Sequence, residues 1–125
     1  LSLLNHTAAR SRFMIEQVTP ADLAAWLEAA AGQAPLLLDV REPAECRVAS
    51  VRPDGAELRQ WPMHTVPARL AELDREQPIA VLCHHGGRSM QVALFLQQHG
   101  FARLANVAGG IDAWSLQVDP AVPRY

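Results

Sequence analysis

Cys83 stands at the end of the apolar run Ile79-Ala80-Val81-Leu82 and is followed by His84-His85-Gly86-Gly87-Arg88-Ser89. The apolar stretch from Met90 to Leu96 comes next. A cysteine acts as a nucleophile only as its thiolate, whose negative charge must be offset. A short strand, a polar glycine-rich turn and a helix opening near Ser89 would bring backbone amides and the positive end of a helix to one point. Arg88 adds a cation beside them. The stretch is organised to make a reactive sulfur.

Each residue also has a plainer reading. A free cysteine at a strand end is commonly a small buried hydrophobe; the Gly-Gly-Arg turn and the helix start are what favour the reactive one. A structural clamp on a carboxylate is the lesser reading of Arg88, and His84 and His85 read equally as polar loop residues. Cys83, His84 and His85 lack the C-x2-C or H-x3-H spacings of zinc sites, so neither a metal nor a cofactor is expected. Cys46 has no anion site around it and reads as structural, with a disulfide to Cys83 under oxidation as the alternative.

The elements that must position the loop can be read from the pattern. The chain has 125 residues, 50% hydrophobic and 19% charged, which suits one domain with its own core. Its formal net charge of -2 gives no footprint for nucleic acid or an anionic membrane surface. No apolar run reaches spanning length. Two cysteines are too few for a disulfide framework and point to a reducing, cytoplasmic setting. Residues 14–125 are expected to form the domain, with 1–13 a poorly ordered extension.

Residues 14–18 read as a short edge strand. Thr19 then fits an N-cap, Pro20 the first helical position, and Asp22 an approximate capping box. Leu23, Trp26 and Leu27 give a helical stripe ending near Gly32. The continuous run Leu36 to Val40 suits a central parallel strand covered on both faces. Strands alternating with a helix indicate an α/β sheet. Between Arg47 and His64 only a short strand at 56–58 is expected. A short helix is expected at 66–73, with Leu70 and Leu73 inward. A helix at 89–99 should be buried almost all round and stopped by Gly100. A strand at 104–107, a turn at Gly109-Gly110 and a helix at 111–116 complete the pattern, and 118–125 should lie along the surface.

Three stretches together resemble the single-domain rhodanese sulfurtransferases: Leu38-Asp39-Val40-Arg41-Glu42-Pro43 with Glu45, the loop from Cys83 to Ser89, and Gly109-Gly110-Ile111-Asp112-Ala113-Trp114. The resemblance spans residues 14–116 and implies a small α/β domain with a central, mostly parallel five-stranded sheet and helices on both faces. It implies that Cys83 takes a sulfane sulfur from a donor such as thiosulfate, holds it as a persulfide, and yields it to cyanide or a thiol. A thioredoxin-like or sulfur-carrier protein is an expected partner. His84, His85, Gly86, Gly87, Arg88 and Ser89 match the cradle, with Arg41 at its entrance and Asp39 and Glu45 as structural support. The glycines before Trp114, and Trp114 itself, read as turn geometry and packing. The chain departs from the family after the first stretch. Many members carry His-Ile-Pro-Gly-Ala there, whereas this chain reads Ser50-Val51-Arg52-Pro53-Asp54-Gly55-Ala56.

Two other function classes compete. Phosphatases and arsenate reductases also combine a cysteine, backbone amides and an arginine, but with five residues between the two. Cys83 and Arg88 enclose four, which makes a narrower cradle suited to a single sulfur. The other competitor is a non-catalytic binding or regulatory module on the same fold, which the retained cysteine disfavours.

Overall fold

The computed structural model describes residues 15–125. Met14 and the extension 1–13 lie outside the described residues. In chain order the elements are β1 (Ile15–Val18), α1 (Pro20–Ala29), β2 (Leu36–Asp39), α2 (Pro43–Val48), β3 (Glu57–Gln60), two 3-10 turns (Met63–Thr65 and Pro67–Glu72), β4 (Ile79–Leu82), α3 (Gly87–Gln98), β5 (Leu104–Val107) and α4 (Gly110–Gln117). The five strands form one sheet in the order β1-β5-β4-β2-β3, with every pairing parallel.

β2, β4 and β5 are interior strands, and every residue in them is buried. Parallel strands covered on both faces read as continuous apolar runs, because alternate side chains enter different cores. One core holds Leu36, Leu38, Ile79, Val81, Val92, Leu96 and Phe101. The other holds Leu37, Ala80, Leu82, Leu23, Leu27, Ile111 and Trp114. α3 therefore covers one face of the sheet, and α1 with α4 covers the other.

Several local expectations change. Thr19 is extended before Pro20, but its hydroxyl donates to the Asp22 carboxylate at 3.3 Å, so no side-chain cap reaches the helix backbone. α2 was not foreseen: at six residues it is too short to show helical periodicity. The helix expected at 66–73 is the 3-10 turn Pro67–Glu72, bounded by Arg69 N–H to Val66 and Leu73 N–H to Leu70. α3 starts at Gly87 and buries only one stripe, Ser89, Val92, Ala93 and Leu96, while Leu94 on the far side is exposed. A helix lying on one sheet face buries one face of its own, however apolar its sequence.

Candidate active site

β2 connects onward to β3 on one side of the sheet, and β4 to β5 on the other. The chain directions diverge between β2 and β4, so a crevice opens outside the carboxyl ends of those two strands. Cys83 follows β4 at this point, and residues 39–45 leave β2 beside it. By strand alternation Cys83 points with Ile79 and Val81 toward α3, and it is 1% exposed.

The loop closes around the sulfur. The Gly86 amide donates to Cys83 Sγ at 3.1 Å, and Ser89 Oγ lies 3.2 Å from it. Gly86 is the α3 N-cap at φ 110°, a conformation that favours glycine. α3 thus starts immediately above the sulfur, with its first-turn amides free of intrahelical partners. Ser89 donates to Asn106 Oδ1, and the Asn106 amide donates onward to Gln17 Oε1 at 2.9 Å and to the Gly86 carbonyl at 3.3 Å.

A second helix start fixes the carbonyl side of the same residues. Ile111 N–H donates to the Cys83 carbonyl at 2.9 Å and Asp112 N–H to the His84 carbonyl at 3.1 Å. The approach needs a glycine between them. A Cβ on Gly110 would lie 2.3 Å from the His84 oxygen and 2.5 Å from the Cys83 oxygen. Gly110 therefore positions the loop as well as shaping a turn.

The charged residues are mutually committed. Arg41, expected at the entrance, is fully buried. It donates to both Asp39 oxygens at 2.9 and 2.7 Å, to the Glu45 carbonyl at 3.3 Å and to Tyr125 Oη at 3.1 Å. A guanidinium with donors so occupied braces the end of β2 against α2 and Tyr125 instead of facing the opening. Burial pulls its pKa down, but the bonds to Asp39 and Tyr125 more than offset this and hold it above the usual arginine value. Arg88 takes its clamp reading: it grips Glu45 through two bonds, at 2.6 and 2.8 Å. That pair pushes Glu45 down to about 2 and holds Arg88 above the usual arginine value. Glu45 also accepts the Glu42 backbone amide at 3.1 Å, capping α2, and the Tyr125 hydroxyl at 2.8 Å.

His84 is sandwiched between the rings of His85, 3.8 Å away, and Tyr125, 3.9 Å away and 8° from parallel. Its Nε2 is buried and has no hydrogen-bond partner. His84, His85 and Asp112 offer ligand atoms within 4.8 Å of one another. The two imidazoles are nevertheless stacked at 28°, so their in-plane lone pairs run side by side, and Asp112 is engaged by Arg124 at 2.9 Å. That is not a convergent metal geometry.

A family model described as rhodanese-like domain matches residues 19–117. The chain belongs to the rhodanese-like domain family. It is 38% identical over 87 residues to a sulfurtransferase of Allochromatium vinosum, covering 70% of this chain and 78% of that protein. It is 47% identical over 92 residues to the chloroplastic rhodanese-like/PpiC domain-containing protein 12 of Arabidopsis thaliana, covering 71% of this chain. The chain spans only 30% of that longer relative. A crystal structure from Staphylococcus saprophyticus superimposes with a TM-score of 0.67 at 27% identity, covering 87% of this chain and 99% of that one. At the level of the family, these likenesses support a sulfurtransferase.

In this rhodanese-like domain the structure brings Asp39, Arg41, Glu45 and the loop 83–89 together at one sheet end. Gln17, Asn106, Gly110 and Tyr125 also belong to that assembly, and sequence reasoning gave none of them a place in it. Asn106, a polar residue inside a buried strand, was the one available signal. A groove of about 560 Å³ lies elsewhere; Leu23, Leu27, Arg52, Trp114 and Val122 are among the residues that line it. No helix among the described residues is long and apolar enough to cross a membrane.

Proposed function

We propose that this protein moves a sulfane sulfur from a donor such as thiosulfate to a thiophilic acceptor, through a persulfide on Cys83. The observation that carries the reading is Cys83 Sγ under the start of α3, receiving the Gly86 amide at 3.1 Å. The thiolate attacks the outer sulfur of thiosulfate, the S–S bond breaks, and sulfite leaves with the bonding pair. Amide dipoles stabilise the negative charge that gathers on the transferred sulfur. Arg41 acts by holding the strand end through its bonds to Asp39, and Arg88 by holding the loop through its two bonds to Glu45. Cyanide or an acceptor thiolate then attacks the terminal sulfur and restores Cys83, which gives ping-pong kinetics.

The persulfide is the sulfur carrier, so the cycle calls for no cofactor. A thioredoxin-like or sulfur-carrier protein is a fitting physiological acceptor, and the need for a free thiol between turnovers suits a reducing compartment such as the cytoplasm. Intact mass tests the reading directly. Incubation with thiosulfate should add one sulfur atom, cyanide should remove it, and Cys83→Ser should take up none. Equal uptake by Cys83→Ser would place the chemistry on another residue.

A further inference from the structure

The structure assigns Tyr125 as a positioning residue of the Cys83 loop. Tyr125 lies beyond residues 19–117, the stretch matched by the family model. One side chain grips the loop at both ends. Near the start of the loop its ring stacks on His84, 3.9 Å away and 8° from parallel. At the far end its hydroxyl donates to Glu45 Oε2 at 2.8 Å, and the other Glu45 oxygen receives Arg88 Nη1 at 2.6 Å. The same hydroxyl accepts from the buried Arg41 at 3.1 Å, so the clamp is anchored to the end of β2.

The segment that delivers Tyr125 is itself held. Val122 is buried against the core that holds α1 and α4, its carbonyl accepts the Ser115 hydroxyl at 2.6 Å, and Arg124 pairs with Asp112. A ring fixed in this way restricts the His84 backbone, whose carbonyl is the Asp112 acceptor one residue from the nucleophile. Burial and the neighbouring Glu45 push the phenol up to about 12, against the opposing bond from Arg41, so it remains a donor through the neutral range. Small displacements of a nucleophile cost rate well out of proportion to their size.

The kinetic part rests on the Cys83 persulfide reading; the conformational part does not. Tyr125 is 38% exposed, so its variants should fold. Tyr125→Phe keeps the stack and loses both hydrogen bonds, whereas Tyr125→Leu loses both contacts. Single-turnover sulfur uptake from thiosulfate, followed by intact mass and normalised to folded protein, should slow about threefold in Tyr125→Phe and about tenfold in Tyr125→Leu. Half-saturating thiosulfate should change little. The His84 ring-proton resonances should leave their ring-current-shifted positions in Tyr125→Leu and return to them in Tyr125→Phe. A folded Tyr125→Leu protein that loads at the wild-type rate, or keeps the wild-type His84 resonances, overturns the assignment. If the wild type takes up no sulfur, the persulfide reading fails and the His84 resonances alone decide the role of Tyr125.

Discussion

Glu45 joins three parts of the site through one carboxylate. Its carboxylate caps α2, clamps Arg88 and receives Tyr125, and these bonds hold its pKa at about 2 against an ordinary 4.5. A depressed carboxylate stabilises the fold fully above its unfolded value and loses that contribution as pH falls toward its folded one. The wild type should therefore lose stability between pH 4.5 and 2, and Glu45→Gln should show a shallower acid limb. Urea midpoints at neutral pH and at about pH 3 check this; parallel limbs would remove Glu45 from the account. Cys83 was legible because its loop is contiguous in sequence. The partners of Glu45 were not, since Arg88 is 43 residues away and Tyr125 is 80. Nothing local marks Arg88 as a clamp; only the placement of Glu45 at the third position of α2 does.

At the scale of elements, the site is a meeting of two helix starts, α3 over the sulfur and α4 under the backbone that carries it. Gly110 is the joint between them. Gly110→Ala places a methyl 2.3 Å from the His84 oxygen, against backbone that cannot rotate away. We expect a stability loss of about 1–3 kcal/mol and sulfur uptake depressed beyond what the unfolded fraction explains. Thermal melts paired with single-turnover loading check it; wild-type loading in the folded variant would make the glycine a turn former only. The glycine pair was visible in the sequence as a turn, but the need for close approach was not, because the opposing carbonyls belong to Cys83 and His84. α2 escaped for another reason: six residues give no periodicity, and its role is to hold up Glu45.

At the scale of the molecule, two cores back the site through one sheet. Trp61 lies in the α3-side core and Trp114 in the α1/α4-side core, and both report from buried positions. Because β2 and β4 contribute alternate residues to both, the two cores should melt together. In a Trp26→Phe background, Trp61→Phe and Trp114→Phe proteins, each followed by the fluorescence of the one remaining tryptophan and by circular dichroism, should give coincident transitions within each variant. Split midpoints would mean that the faces unfold separately. This layered design was the most legible part of the chain, since the runs at 36–40, 79–82 and 104–107 carry it in their own composition. The segment 118–125 lies along the surface as expected, buried only at Val122; what was not legible is where it leads, to a Tyr125 ring stacked on His84. The joint at Gly110 has a consequence for the order in which the protein matures. Cys83 is translated well before Gly110 to Asp112, the residues whose amides will fix its carbonyl and that of His84. Domains generally fold as units, and these contacts are non-local. In the nascent chain the Cys83 loop therefore lacks both of these backbone bonds until α4 has docked.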